Sequence, residues 1–204
     1  MKKEKKLDVV FILDKSGSMQ GQEENTITSF NEYLEKEKKN KYDTFITTVL
    51  FSDTYKVLHD RVEVSKVEKL TSKDYHVEGC TALLDALGNT IHKMEQKDTD
   101  KVLFIIITDG YENASREYTK AQIKELVSKN KNFEFIYVGA DIDSYAAGSE
   151  IGIRKSNIAN FKKDECGTGL LFDAVGNFER YMMDGSVNDS WKKELDEYLE
   201  KNEN

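Results

Sequence analysis

Proline is missing from all 204 residues, where average usage would place roughly 10. Turns must therefore come from Gly, Asn, Asp and Ser, and folding has no slow prolyl isomerisation step. Cysteine is nearly missing too. Cys80 and Cys166 are the only two, which give no disulfide framework. His59, His76 and His92 lie far apart and lack a Cys or His companion at ligand spacing, which argues against zinc. There is no basic surplus: 30 Lys and Arg stand against 38 Asp and Glu, a formal net charge of −8. No arginine-rich stretch or basic face stands out, so nucleic acid is not an expected partner. No apolar segment approaches the length of a membrane span, so no membrane partner is expected. The start Lys2-Lys3-Glu4-Lys5-Lys6 is basic and an apolar run follows. Asp14 ends that run after Leu7 to Leu13, too short for the apolar stretch of a secretion signal. The expected location is the cytoplasm.

Short apolar runs separated by charged stretches are what the chain does have. Val9-Val10-Phe11-Ile12-Leu13 and Val102-Leu103-Phe104-Ile105-Ile106-Ile107 have the pattern of strands buried on both faces. Thr44 to Phe51, Phe133 to Val138 and an edge segment at Asn157 to Phe161 complete the parallel candidates. A further strand over Tyr55 to Val64, broken near Asp60, follows a two-residue Ser52-Asp53 turn, so it should lie antiparallel to its predecessor. Between the strands, apolar residues recur at helical spacing. Examples are Ile27, Phe30 and Leu34 in 22–39, and Leu83, Leu84, Leu87, Ile91 and Met94 in a helix opened by Thr81. Further helices are expected at 118–130, 143–151, 168–183 and 188–201. Alternation of this kind implies an α/β fold with a mostly parallel sheet and helices on both faces. The one candidate boundary is Asp184-Gly185-Ser186, which divides the chain into a main domain at 1–184 and a helical extension at 185–204.

The chemistry is concentrated at Asp14-Lys15-Ser16-Gly17-Ser18, directly after the first buried strand. Ligands of open α/β sheets bind at the carboxyl ends of strands. One carboxylate and two hydroxyls there are hard oxygen donors, suited to Mg²⁺ or Mn²⁺. The same residues also suit a simple turn and helix cap. Two other stretches bear on the choice. Thr81 puts a hydroxyl where a loop enters a helix, and Asp109 puts a carboxylate at the end of the most hydrophobic strand, before Gly110.

Asp14, Ser16, Ser18, Thr81 and Asp109, in this order and context, resemble the metal-ion-dependent adhesion site of von Willebrand factor A domains. The resemblance runs over about residues 7 to 183. Phe30-Asn31 and Thr108-Asp109-Gly110-x-Glu112-Asn113 look most like a bacterial intracellular branch. It implies a doubly wound six-stranded sheet in the order 3-2-1-4-5-6 with one antiparallel edge strand. It also implies that Ser16, Ser18 and Thr81 contact the metal through hydroxyls, with Asp14 and Asp109 acting directly or through water. The implied function is a binding module, not an enzyme, in which the metal takes an Asp or Glu carboxylate of a protein partner. Some of the family couple the site to movement of the last helix, a part that 168–183 or 188–201 could play.

Two other functions compete with that one. A Mg²⁺-dependent phosphohydrolase would also place Asp at a strand end, but position 16 is Ser where an aspartyl phosphatase wants a second Asp. An accessory subunit of an ATPase, chelatase or stress-response complex is the other. Among remaining features, Lys15 is expected to be a solvated loop residue and Cys80 a small buried hydrophobe. Asp141-x-Asp143 is expected to be a helix cap with a first-turn acid, and Gly167-Thr168-Gly169 a loop before a helix. The Lys/Glu runs at 35–41 and 192–201 should be solvated helix faces, and Trp191 should pack onto the domain.

Overall fold

The computed structural model describes residues 6–40 and 42–202; the basic start before Lys6, Lys41 and the last two residues lie outside them. Six strands form one sheet: β1 (Lys6–Asp14), β2 (Asp43–Phe51), β3 (Tyr55–Glu63), β4 (Lys101–Thr108), β5 (Phe133–Gly139) and β6 (Ile158–Asn160). Their order is β3-β2-β1-β4-β5-β6. All pairings are parallel except β2 with β3. The break expected near Asp60 is a register irregularity, with Arg61 at φ +50°. The helices are α1 (Glu23–Glu37), α2 (Leu83–Met94), α3 (Lys120–Lys129), α4 (Ser144–Glu150), α5 (Glu165–Asp184) and α6 (Lys193–Asn202).

Alternation along the strands sorts the core into two layers. Leu7, Val9, Phe11 and Leu13 of β1 and Leu103, Ile105 and Ile107 of β4 face α1, α5 and α6. Val10 and Ile12, with Val102, Phe104 and Ile106, face α2, α3 and α4. Phe11 is the hub of the first layer, its ring centroid 5.1 Å from both Phe30 and Tyr33 in edge-on contact and 6.1 Å from Phe172. Burying each such side chain contributes about 1.5–3 kcal/mol.

Several local expectations change. Gly167-Thr168-Gly169 is not a loop but the opening of α5. Asp164 caps that helix earlier, accepting from Gly167 N at 2.7 Å, and a Cβ at Gly167 would strike the Lys162 carbonyl at 2.2 Å. The Lys/Glu runs are not solvated throughout. Glu37 and Lys192 are buried, and Lys192 Nζ donates to Ile158 O at 2.6 Å and to Tyr145 Oη at 2.9 Å. Trp191 packs inward as expected, edge-on to Phe178 at 5.4 Å, with its indole N–H on Ser156 O at 2.8 Å. Trp191 and Leu195 join the same core as α1 and α5, so packing runs across the break at Gly185.

Candidate metal centre

The sheet order makes β1 and β4 neighbours with the winding reversing between them, and this is where such sheets bind ligands. Three segments meet there. The first leaves β1 at Asp14, whose Oδ1 accepts from Ser16 N at 2.7 Å and so folds the chain back on itself. The second is the approach to α2. It is pinned to the first by backbone bonds from Glu78 N to Lys15 O at 2.8 Å and from Gly17 N to Gly79 O at 3.0 Å. Gly79 is required here, because its φ is +70° and a Cβ would lie 1.9 Å from Asp53 Oδ2. The third leaves β4 through Thr108, Asp109 and Gly110. Asn113 secures it by accepting from Thr81 N at 2.9 Å and donating its own N–H to Thr81 O at 3.0 Å.

The five expected side chains come together. Thr81 Oγ1 donates to Ser16 Oγ at 3.1 Å, Ser16 Oγ and Ser18 Oγ are 3.1 Å apart, and Ser18 Oγ donates to Asp109 Oδ1 at 2.5 Å. Asp14 Oδ2 accepts from Thr108 Oγ1 at 2.5 Å. A Cβ on Gly110 would sit 2.8 Å from Thr81 Oγ1, 3.1 Å from Ser18 Oγ and 3.8 Å from Ser16 Oγ. The hydroxyls thus face one small space that any side chain at 110 would fill. Asp14, Ser16, Thr81 and Asp109 are buried while Ser18 is exposed, so the cluster opens to solvent on one side. No cluster of three or more Asp, Glu, His or Cys suited to a metal occurs among the described residues. Two carboxylates with three hydroxyls is the donor chemistry of a hard divalent cation.

Residues 1–142 match the family described as VWA domain containing CoxE-like protein. The chain belongs to the von Willebrand factor A domain family. No curated protein sequence is significantly similar to this vWA domain, but solved structures share its fold. Proximal thread matrix protein 1 of the mussel byssus aligns with a TM-score of 0.63 at 16% identity, over 84% of this chain and 45% of its own. Another structure of that mussel protein, with zinc in its MIDAS motif, aligns at 0.57 and 17% identity, over 77% of this chain and 41% of its own. An ArnB paralogue from Sulfolobus acidocaldarius gives 0.62 and 19%, over 84% and 45%. The vWF domain of the type V pili tip protein Mfa5 from Porphyromonas gingivalis gives 0.66 and 11%, over 91% and 97%. The vWA domain therefore spans less than half the length of the mussel and Sulfolobus chains.

Electrostatically the centre is tense. Burial pushes the Asp14 carboxyl up to about 6, against hydrogen bonds from Thr108 and Ser16, and the Asp109 charge adds to the rise. Tyr75, buried beneath, donates its hydroxyl to the Asp14 carbonyl. Lys163 Nζ bonds Asp109 Oδ2 at 3.0 Å and Asp141 Oδ2 at 2.8 Å. Burial opposes its charge, but the bonds to Asp141 and Asp109 outweigh that and raise its pKa.

Tyr75, Thr108, Asn113 and Lys163 carry no role in the sequence-based site. Thr108 and Asn113 sit inside the motif phrase around Asp109, and Lys163 follows the last strand at the carboxyl edge, where ligand-facing residues gather. Three expectations fail nearby. Lys15 is not solvated: its side chain is 10% exposed and its ammonium pairs with Glu78. Cys80 is exposed rather than a buried hydrophobe, because the chain crosses the surface there, its N–H held by Asp53 Oδ1 at 3.0 Å. The pair expected as a helix cap and first-turn acid is shifted: Asp143 is itself the cap of α4, accepting from Ala146 N at 2.9 Å, and the first turn holds no acid. Asp141 precedes the helix at φ +57° and pairs with Lys163.

Proposed function

We propose that Asp14, Ser16, Ser18, Thr81 and Asp109 form a metal-ion-dependent adhesion site that holds Mg²⁺ or Mn²⁺ and binds an Asp or Glu carboxylate of a protein partner. The observation that carries this reading is the convergence of three hydroxyls on the space at Gly110, with Asp109 bonded to the hydroxyl of Ser18. vWA domains are in general metal-dependent protein-interaction modules, and the zinc-occupied MIDAS of the mussel protein supports a divalent metal here.

The residues divide the work. Thr81 and Ser16 are buried and fixed from both sides, so their hydroxyls are pre-oriented and lose little entropy on binding. Asp14 and Asp109 supply two negative charges, which balance a divalent cation without excess. When bound, the cation supplies an exchangeable position for an anionic oxygen donor. Ser18 lies on the open side, where a partner's acidic side chain would approach.

A binding role is favoured over phosphate hydrolysis by what surrounds the hydroxyls. Among the described residues no histidine bonds them: His59 meets Thr48 Oγ1 at 3.0 Å, and His76 and His92 pair with Glu78 and Glu95. The histidine base that activates a serine nucleophile in such hydrolases is therefore not beside these hydroxyls.

Calorimetric titration with Mg²⁺ and Mn²⁺ tests the site. The wild-type protein is expected to bind, and Asp14→Ala to lose binding while its circular dichroism stays native. Equal affinity in the variant removes the site. Turnover of an aryl phosphate with Mg²⁺, lost in Asp14→Asn, would instead favour the hydrolase.

A further inference from the structure

Lys163 lies between β6 and α5, and three contacts fix the backbone around it. Phe161 N donates to Gly139 O at 2.9 Å, Gln22 Nε2 donates to Lys163 O at 3.2 Å, and the next residue, Asp164, caps α5. A lysine so placed has water available to its ammonium. Instead the side chain is only 24% exposed and reaches a carboxylate whose side chain is sealed at 0%. That carboxylate is Asp109, whose other oxygen takes the Ser18 hydroxyl. The second partner, Asp141, is 66% exposed and belongs to no other part of the cluster.

We infer that Lys163 is a tethered counter-cation that competes with the divalent metal for Asp109 and so sets the affinity of the site. This rests on the metal-binding reading above. Like charges repel strongly at such range where solvent is partly excluded. A divalent cation therefore meets an Asp109 already neutralised, with a positive charge beside it. Asp141 makes the exchange feasible. It keeps the ammonium paired when Asp109 turns to the metal, so no unpaired charge is left part-buried. Lys163 also adjoins the cap of α5, so metal entry and the start of α5 are joined through one residue.

The test is Mn²⁺ titration of the full chain at physiological salt. Lys163→Met is expected to bind about tenfold more tightly than wild type, the order a neighbouring charge imposes at partial exposure. Lys163→Gln, which keeps a donor for Asp109 without the charge, should show the same direction and serves if Met disturbs folding. Asp141→Asn should bind severalfold more weakly, because it removes a negative charge and leaves Lys163 to Asp109 alone. In thermal unfolding, the Mn²⁺-induced rise in midpoint should be larger for Lys163→Met than for wild type. Wild-type affinity in both Lys163 variants overturns the inference. Asp14→Ala run alongside separates the two readings. Binding that Asp14→Ala abolishes but Lys163→Met leaves unchanged defeats only the role of Lys163, whereas no wild-type binding defeats both.

Discussion

Asp14, at the carboxyl end of β1, and Glu179, in the seam between α1 and α5, are both carboxyl groups at 0% exposure. Around Asp14 both oxygens meet donors, Ser16 N–H on one and the Thr108 hydroxyl on the other. Around Glu179 one oxygen accepts from Tyr33 Oη at 2.8 Å, while the other meets no donor among the described residues and lies near the Glu37 carboxyl. Burial, with the nearby Glu37 charge, raises Glu179 well above the usual carboxylate range. A proton on its orphaned oxygen resolves the conflict, because the O–H then donates to Glu37. Burial thus drives Glu179 toward its neutral form in a packed seam, whereas Asp14 sits among donors arranged to accept a negative charge. Burial of an acid does not by itself mark a functional site; what its oxygens meet is the better sign.

The largest test of that contrast is Asp14→Asn in chelator. Asn can keep the Ser16 bond through its oxygen, and Thr108 has an alternative acceptor in Gly110 O at 3.2 Å. Because the folded-state pKa of Asp14 is raised from 3.8 to about 6, the folded protein holds this proton more tightly than the unfolded chain. The associated stability is complete below the unfolded value and is lost as pH rises through about 6. Asn never ionises. The variant should therefore match wild type near pH 4 and exceed it above pH 6 by up to roughly 3 kcal/mol, while losing metal affinity. Urea unfolding across that range measures it. No advantage at pH 8 would mean that the fold bears no cost in holding the Asp14 charge.

The next effect is at the other acid. Tyr33→Phe removes the donor to Glu179 and should cost about 1–3 kcal/mol in urea unfolding without altering metal affinity. Glu179→Gln keeps the shape and a donor toward Glu37, so it should match wild type below pH 4.5 and exceed it in stability at neutral pH. Glu179 has the same sign as Asp14: its contribution is present below the unfolded value of 4.5 and lost at higher pH. The Gln variant should therefore lose part of the fall in stability that begins above pH 4.5. An unchanged pH profile would place a charge on Glu179 in the folded protein.

The two acids also differ in how visible they were in the sequence. Asp14 stands out because it interrupts a β-branched run and two serines follow at alternate positions. The same run located β1, and the runs at 102–107 and 133–138 located its neighbours, because a strand buried on both faces leaves little room for polar residues. Glu179 sits on a helix rich in Leu, Val and Phe, but acids on helices are common, and only the packing of α1 on α5 shows that this one is sealed. Lys163 was hidden for a related reason. A lysine's partners depend on where a loop carries it, and pattern along the chain is silent on loops. Gly167 misled for a different reason: glycine in a helix normally marks an end, but here it permits close approach to the Lys162 carbonyl.

The smallest expected effect separates proximity in sequence from proximity in space. Lys15 lies inside the Asp14–Ser18 motif, 148 positions before Lys163 by subtraction of their numbers, and an argument from spacing alone would give it the stronger influence. Its ammonium instead pairs with Glu78, and the hydrogen bond joining Lys15 to the cluster's framework is made by its backbone carbonyl, with Glu78 N. A substitution at the side chain leaves that bond in place. Lys15→Met should change Mn²⁺ affinity by no more than about twofold, because the lost cation is largely offset by its own acidic neighbour. The same calorimetric titration reads it directly. A gain as large as that of Lys163→Met would mean that the total charge near the cluster, rather than a cation seated on Asp109, decides how tightly the metal is held.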